Sequence, residues 1–371
     1  MQNGKSAVSE SHRKESTVNQ RTSNPPTLKN VGVGRYHRNR LNRLRTYARG
    51  PLAGMHFWTH HNRAGANRLH NFRHSEFIKR GKNRVAKTSR LATVHSMATE
   101  RDYVLGTHDE EIARLGLQHR VWRPVVLECW RKAGITVGSR VLDVGAGPGY
   151  ATVDLAEIVG PTGEVVALER SGKFVRAMEE ACRARSLTNV KIYELDLTTD
   201  DLPKGHYDFS WCRWVLSFVS NPAVLIKKLG GVMRHGSVAI FHEYAHYETW
   251  RFFPPLPNQL RFRQHVIETW RESGGEPDSA PVLPALLLQN GFVIRSATPQ
   301  IFCIRPNDAM WHWPAQFIDV YLLRLIEMGR IDESFAEKVR ADLAAAEKNP
   351  NALMITPLVL EIVAEKTDSE K

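Results

Sequence analysis

The sequence predicts an α/β protein built on a doubly wound, mostly parallel β-sheet. Residues 141–144 are apolar apart from Asp143, glycines follow, and residues 151–159 have helical spacing of apolar positions. Two further strands are predicted, a buried one at residues 165–168 and a third at residues 190–195, and each ends at a carboxylate. A strand, a glycine turn and a helix form the first unit of such a sheet, whose strand carboxyl ends share the edge where ligands bind.

The turn after the first strand has glycine at every second position, Gly145, Gly147 and Gly149. Glycine lets the backbone turn tightly and approach a ligand without a Cβ in the way, and the free N–H groups of the following helix point to that ligand. The spacing Gly-x-Gly-x-Gly departs from the Gly-x-Gly-x-x-Gly fingerprint of dinucleotide sites. The alternative interpretation is an ordinary tight turn between a strand and a helix.

These residues resemble the first motif of the class I S-adenosylmethionine (SAM)-dependent methyltransferases, in which an acidic residue precedes a glycine turn. The resemblance implies a Rossmann-like sheet of seven strands with the last strand antiparallel, and SAM as the cofactor. It also implies that the three glycines contact SAM together with a further set of residues, namely Asp143, Glu169, Asp196, Leu197 and Arg213.

Roles for three of the acids follow from the resemblance and from their places at strand ends. Glu169 would lie beside the glycine loop, where a ribose diol needs a bidentate acceptor. Asp196 would face the adenine amine, and Asp143 would support the turn or the amine of SAM. The resemblance covers about residues 99–365 and is strongest to small-molecule methyltransferases of the ubiquinone-biosynthesis and secondary-metabolite type.

The charge divides the chain into two parts. Of the 51 Lys and Arg and 39 Asp and Glu, residues 1–96 hold 20 and 3, a balance of +17, and the remainder holds 31 and 36, a balance of −5. Because apolar periodicity is nearly absent from residues 1–96, we expect that lead to be disordered. It could contact nucleic acid non-specifically, act as an organelle transit peptide, or lie upstream of a true start at Met97.

Residues 97–371 are expected to form the methyltransferase domain. The mildly acidic balance of this part does not favour a nucleic-acid enzyme. The four cysteines are far apart in sequence, which predicts neither a metal site nor a disulfide framework and fits a cytoplasmic location. No apolar segment is long enough to predict a membrane span.

An N-terminal cap is predicted over residues 99–135. Thr107 and Glu110 have the spacing of a capping box, and apolar residues continue helical spacing up to Gly134. Tyr103 and its neighbours resemble a segment that folds over the cofactor in some small-molecule methyltransferases, so we name Tyr103 as a pocket residue. A plain packing helix is the alternative.

The fourth strand is predicted at residues 207–212, and its end should lie beside the methyl donor. Methylases of nucleobase amines place an Asn/Asp-Pro-Pro-Tyr/Phe motif there, whereas this chain has Arg213 and Trp214. The sequence therefore does not favour methylation of nucleobase amines. We expect Trp214 to line a substrate pocket and Trp211 to belong to the core.

His242 follows the fifth predicted strand, residues 237–241. An unperturbed pKa near ~6.5 makes histidine a natural general base for a hydroxyl or thiol acceptor, so His242 is the catalytic candidate. A histidine that only hydrogen-bonds a loop is the alternative, because methyl transfer often requires little more than alignment.

The remaining residues predict helical insertions at 245–280 and 306–348, which would form a lid over the pocket and would place Trp311 against the substrate. Helices that simply cover the sheet are the alternative. Further predicted elements are helices at residues 222–229, 259–272, 281–288, 311–328 and 331–345, and strands at residues 292–303 and 353–364.

The predicted function is methyl transfer from SAM to a small-molecule acceptor, mainly by alignment in a lidded pocket. One alternative is a nucleic-acid or protein methyltransferase tethered by the basic lead, which the acidic balance of residues 97–371 opposes. A second is a non-catalytic SAM-binding module, which the elaborate insertions oppose.

Overall fold

The computed structural model describes residues 105–107 and 109–367. These residues fall within one compact unit. Predictions for residues 1–96 and for Tyr103 lie outside the described residues. Among the helices described, none has the length and apolar character needed to cross a membrane.

The described residues form ten strands and eight α-helices, with short 3₁₀ turns between some of them. The strands are β1 (Arg140–Val144), β2 (Glu164–Glu169), β3 (Val190–Glu194), β4 (Tyr207–Arg213), β5 (Met233–His246), β6 (Arg251–Phe253), β7 (Phe292–Gln300), β8 (Cys303–Ile304), β9 (Leu353–Ile355) and β10 (Leu358–Lys366). The helices are α1 (Asp109–Ala133), α2 (Tyr150–Val159), α3 (Gly172–Ala184), α4 (Pro222–Val232), α5 (Pro257–Glu272), α6 (Leu283–Gln289), α7 (His312–Glu327) and α8 (Glu333–Lys348).

Seven strands form the main sheet in the order β3-β2-β1-β4-β5-β10-β7. The first five are parallel to one another, and β10 lies between β5 and β7 and is antiparallel to both. The predicted fold class, a mostly parallel doubly wound sheet with its last strand antiparallel, is confirmed.

Buried apolar runs explain the central strands. Val141 and Leu142 are both fully buried, yet they belong to different core clusters on opposite faces of the sheet. The same holds for Val165 and Val166 on the neighbouring strand. Parallel strands that are covered by helices on both faces require such continuous apolar segments rather than an alternating pattern.

A small second sheet, with the order β6-β9-β8, was not predicted. The strand predicted at residues 292–303 ends at Gln300, and the strand predicted at 353–364 is divided into β9 and β10. Thr356 and Pro357 lie between β9 and β10. Thr356 exchanges hydrogen bonds with Phe302, and Pro357 has no N–H group to donate to a strand ladder. The chain changes from one sheet to the other at this point.

The predicted cap and insertions correspond to particular helices. The described part of the cap is α1, one continuous helix of 25 residues that contains Pro124. The insertion at 245–280 holds β6 and α5, and the insertion at 306–348 holds α7 and α8. Helix α1 packs against α7, so the two segments meet over one face of the sheet.

Candidate functional site

The glycine turn between β1 and α2 opens onto empty space at its middle residue. Gly147 has φ +59°, and a Cβ built there meets no atom within 4 Å. Gly149 has a different reason to be glycine, because a Cβ there would lie 2.3 Å from the Met178 side chain of α3. The absence of a side chain at Gly149 therefore permits close packing between the turn and α3. Gly149 does not line the adjacent cavity.

A cavity of about 370 Å³ begins at this turn. Its polar end is lined by Asp143, Gly145, Gly147, Glu169, Asp196 and Leu197. Its aromatic end is lined by Trp211, Trp214, Phe218, Tyr244, Trp270 and Phe317, and Arg213 lines the cavity as well. The structure thus brings together all the residues predicted to bind cofactor except Gly149.

Glu169, the last residue of β2, is tied to the glycine turn. Its carboxylate accepts hydrogen bonds from the backbone N–H groups of Gly147 at 2.8 Å and of Arg170 and Ser171 at 2.9 Å. Burial raises the pKa of Glu169, although these hydrogen bonds oppose the change. A carboxylate offers about four acceptor positions, so roughly one remains for a ligand hydroxyl. A second hydroxyl would have to replace one of the backbone donors.

Asp143 on β1 is buried beneath the turn. Its Oδ2 accepts a hydrogen bond of 2.6 Å from the Thr152 hydroxyl, which fixes the start of α2 against β1. Burial raises the pKa of Asp143 to about 6, and the Thr152 hydrogen bond and the nearby charge of Arg213 oppose this change. Asp143 is therefore both a support of the turn and a lining residue of the cavity.

Asp196 follows β3 and forms a local turn. Its Oδ1 accepts a 2.8 Å hydrogen bond from the backbone N–H of Thr198, and both residues line the cavity with Leu197 between them. Burial alone would raise the pKa of Asp196, but the Thr198 hydrogen bonds lower it overall. The side chain thus presents a charged carboxylate at the polar end.

Arg213, the last residue of β4, places a cation between the two ends. Its guanidinium lies over the rings of Trp214 and Trp211, with its central carbon 5.0 and 5.7 Å from their centroids. Nη2 lies 3.1 Å from Nδ1 of His119, and the buried Nη1 has no hydrogen-bond partner among the described residues. Burial lowers the pKa of Arg213 to about 10, so the group stays charged at neutral pH.

The aromatic end is held by contacts around Trp214. This residue has φ +54°, a left-handed conformation that is rare for a bulky side chain and often marks a functional site. Its indole stacks on the ring of Tyr244 at 5.7 Å and on that of Trp313 at 5.5 Å. Trp214 lines the cavity, and its contact with a substrate stays a prediction. Trp211, which we predicted to be only a core residue, is buried and lines the cavity too.

Glu243 on β5 supports the segment that follows Trp214. Its Oε1 accepts hydrogen bonds from the backbone N–H groups of Val215 at 2.9 Å and Leu216 at 3.2 Å, and Oε2 lies 3.3 Å from the Ser279 hydroxyl. Burial raises the pKa of Glu243 to about 7. No short sequence pattern indicates this role, because the partners come from other segments of the chain.

His242 is fully buried and does not line the cavity. Its Nε2 lies 2.9 Å from the Glu361 carboxylate of β10, and its ring packs against Trp211 at 4.9 Å. Burial lowers the pKa of His242, although Glu361 opposes the change. Cys129, His242 and Glu361 form a cluster in which the thiol sulfur, a ring nitrogen and a carboxylate oxygen lie within 4.8 Å of one another. Hydrogen bonds from Cys129 and His242 to Glu361 explain this proximity. The geometry favours the structural alternative for His242.

Trp311 also lies away from the cavity. It is fully buried, donates from Nε1 to Glu347 at 3.2 Å and packs on Phe252. Instead, Trp270 of α5 and Phe317 of α7 carry the insertions to the cavity wall. Both fall in helices predicted from the sequence, but the face that each helix turns to the cavity depends on packing between distant segments.

Comparisons with known proteins agree with the location of this site. Residues 141–236 match a family model described as a methyltransferase domain. The chain is 27% identical over 196 residues to a demethylmenaquinone methyltransferase of Geobacillus kaustophilus, covering 50% of this chain and 82% of that protein. It is also 27% identical over 186 residues to a ubiquinone/menaquinone biosynthesis C-methyltransferase of Ectopseudomonas mendocina, covering 47% and 69%.

Among solved structures, a putative sarcosine dimethylglycine methyltransferase from Galdieria sulphuraria matches at 14% identity and a TM-score of 0.46, covering 72% of this chain and 94% of that one. The segment matched by the family model contains the glycine turn, Glu169, Asp196 and Arg213. It is therefore the same part of the chain that forms the polar end of the cavity.

Proposed function

This chain belongs to the class I SAM-dependent methyltransferases and transfers methyl groups to small molecules, and from that membership we propose that its acceptor is aromatic or apolar and binds at the aromatic end of the cavity. The observation that carries the proposal is that one cavity joins the polar end to the aromatic end. A donor and an acceptor bound at the two ends would face each other.

The residues of the polar end fit SAM. The open space at Gly147 admits a ligand against the backbone, as a site for an extended cofactor requires. Glu169 offers an acceptor to a ribose hydroxyl, and Asp196 offers one to the adenine amine. Arg213 has a buried donor without a partner among the described residues, and the α-carboxylate is the anionic group of SAM.

When bound, SAM supplies an electrophilic methyl group on a sulfonium. The main work of the chain is then alignment, which can remove several kcal/mol of an activation barrier. Glu169 and Arg213 would hold the two ends of the donor, and Trp214 would stand at the border between donor and acceptor. The stacked rings around Trp214 are buried and would keep water away from that border.

The aromatic end supports an apolar or aromatic acceptor. Six aromatic side chains line it, and such rings favour planar partners through stacking and edge contacts. Burial raises the pKa of the Tyr244 hydroxyl above its usual range, so Tyr244 remains a neutral hydrogen-bond donor. The curated relatives named above carry quinone-related names, which agrees with an acceptor of this kind.

A general base is a separate part of the proposal. His242 remains the candidate, but an acceptor proton would have to pass the ring of Trp211 to reach it. An acceptor that is already nucleophilic needs no such base, and we therefore place alignment first. A cytoplasmic location also belongs to the proposal and is supported by the free cysteines Cys129, Cys182, Cys212 and Cys303.

The test is transfer of label from methyl-labelled SAM by the full chain to a panel of acceptors. The panel holds naphthoquinols, phenols, alkylamines, thiols, duplex DNA, tRNA and a basic peptide, and calorimetric titration measures binding of SAM and of NAD. We expect SAM binding and labelling of the aromatic small molecules. Binding of NAD without binding of SAM would overturn the proposal.

The charge of residues 1–96 motivates the competing function, methylation of a nucleic acid or protein held by the basic lead. In the same assay, a chain beginning at Met97 separates the two. Equal labelling of small molecules by both chains supports the proposal. Labelling of DNA, tRNA or peptide that is lost together with residues 1–96 supports the competing function.

A further inference from the structure

A chain of hydrogen bonds connects Arg213 in the cavity with the cap helix α1. Nη2 of Arg213 lies 3.1 Å from Nδ1 of His119, and Nε2 of His119 lies 3.0 Å from Oδ2 of Asp154 on α2. The Nε of Arg123 donates to the same carboxylate oxygen at 2.6 Å. His119 and Asp154 are buried, so this network lies largely within the protein.

The two neighbours of His119 determine where its proton lies. A guanidinium can only donate hydrogen bonds, so Nδ1 of His119 must carry a lone pair toward Arg213. An ionised carboxylate can only accept, so Nε2 must carry the proton toward Asp154. The contacts are therefore satisfied together only by the neutral imidazole that is protonated at Nε2.

Arg213 depends on this contact for its position. Within the described part of the chain, the bond to His119 is the one hydrogen bond of its guanidinium. Its remaining interactions are cation–π contacts with the rings of Trp211 and Trp214 and attraction to nearby negative charge such as that of Asp143, and neither kind is directional. Ring faces attract a cation but do not fix its rotation about the ring normal. The acceptor at His119 fixes that rotation and leaves Nη1 without a partner.

We propose that His119 is a positioning residue, which holds Arg213 in the orientation that binds the α-carboxylate of the methyl donor. This inference rests on the role given to Arg213 in the proposed function. It also makes donor affinity depend on pH, because protonation of His119 would direct an N–H group at the guanidinium and break the contact.

The groups that face His119 leave it as the one that changes charge near neutral pH. They are Asp154 and the ring of Tyr150 from α2, Arg123 from α1 and Arg213 from β4. Burial alone would raise the pKa of Asp154, but hydrogen bonds from His119 and Arg123 lower it overall. Burial raises the pKa of Tyr150, whose hydroxyl donates to the Ile112 carbonyl. Burial lowers the pKa of His119 from 6.5, so the neutral form predominates at pH 7.

Calorimetric titration of the full chain with two probes tests the inference. S-adenosylhomocysteine contains the α-carboxylate, whereas 5′-methylthioadenosine keeps the nucleoside and sulfur but lacks the amino-acid part. His119→Ala should weaken S-adenosylhomocysteine binding about tenfold and leave 5′-methylthioadenosine binding unchanged. The wild-type protein should lose S-adenosylhomocysteine affinity as the pH falls from 7 to about 5.

Two conservative variants separate positioning from a structural role. The amide oxygen of His119→Asn can occupy the place of Nδ1 and accept from Arg213, so this variant should restore S-adenosylhomocysteine affinity at about pH 7 and lose less of it than wild type when the pH falls to about 5. The loss that remains belongs to Asp143, which lines the cavity and has a pKa of about 6. His119→Gln reaches the place of Nε2 and Asp154 instead, so it should not restore affinity.

Opposite results would overturn the inference. These are rescue by Gln rather than Asn, equal losses for the two probes, or a pH profile in His119→Asn that is as steep as in wild type. Failure of the proposed function has a different signature, because the wild-type protein would then bind neither SAM nor S-adenosylhomocysteine at any pH.

Discussion

The indole of Trp214 stacks on that of Trp313, with ring centroids 5.5 Å apart and planes inclined by 19°. Trp214 follows β4, and Trp313 lies in the first turn of α7. The Nε1 of Trp313 also donates to the Gln118 side chain of α1 at 3.0 Å. One side chain thus connects the sheet, an insertion and the cap.

Truncation of Trp313 should therefore lower stability in two steps. Trp313→Phe keeps a ring but loses the hydrogen bond to Gln118, and should reduce the free energy of unfolding by about 1 kcal/mol. Trp313→Ala also removes the stack and leaves a cavity, and should cost about 3–5 kcal/mol. Urea unfolding measures both, with the exposed neighbour His312→Ala as the control. An unfolding free energy that is unchanged in Trp313→Ala would contradict the role of the stack.

Replacement of Glu169 by glutamine should weaken donor binding. The glutamine amide has one oxygen that accepts hydrogen bonds, and its nitrogen cannot accept, so the three backbone N–H groups are no longer all paired. The contact with ribose also loses its negative charge. We expect S-adenosylhomocysteine affinity to fall about tenfold, measured by calorimetry. Glu164→Gln is the matched control, because Glu164 lies at the other end of β2 and pairs with Arg140. Equal losses in both variants would refute a specific role for Glu169.

Replacement of His242 by glutamine should affect stability more than turnover. His242 lies outside the cavity lining and is hydrogen-bonded to Glu361, so we expect turnover per folded molecule within about threefold of wild type. Because burial lowers the pKa of His242 from 6.5, the unfolded chain binds the proton more readily, and this contribution to stability is lost as the pH falls below 6.5. Thermal unfolding between pH 8 and 5 should show that the variant loses less stability on acidification than wild type. A turnover loss of about 10²-fold with unchanged SAM affinity would instead assign His242 as general base.

Glu243 should make the folded state less stable as the pH rises. Its folded pKa is about 7 against an ordinary 4.5, so between these values the folded state binds more protons than the unfolded state. Glu243→Gln can keep acceptance from Val215 and Leu216 without ionising. The difference in melting temperature, variant minus wild type, should thus increase by several degrees between pH 5 and pH 8. The exposed Glu248→Gln is the control, and a difference independent of pH would contradict this assignment.

The sequence predicted the part of the site that depends on short segments. Strands β1 and β2 are mostly apolar and buried, whereas β3 is a more exposed strand at the edge of the sheet, and each of the three leads to a glycine or a carboxylate at its carboxyl end. Parallel strands bring these ends to one edge whatever the rest of the chain does. The positions of Glu169 and Asp196 at this edge therefore follow from the sequence alone.

The aromatic end could not be predicted in the same way. His242 and Tyr244 are two residues apart on β5, so their side chains point to the same face of the sheet. Only Tyr244, which lies further along the strand, reaches the cavity. Trp311 and Phe317 belong to one predicted helical segment, and only the packing of α7 on α1 determines which of them lines the wall. Such choices depend on contacts between segments far apart in sequence.

The position of β10 between β5 and β7 also constrains synthesis. Strand β7 leaves the ribosome before α7, α8 and β9, but its neighbour in the sheet, β10, follows all of them. Until then one edge of β5 and the whole of β7 have unpaired backbone groups, which are sites for association with other chains. The strands that carry the polar end of the cavity are complete much earlier. A ribosome that stalls between Gln300 and Leu358 would hold a nascent protein in which the strands of the polar end are complete, one edge of β5 is open and both edges of β7 are unpaired.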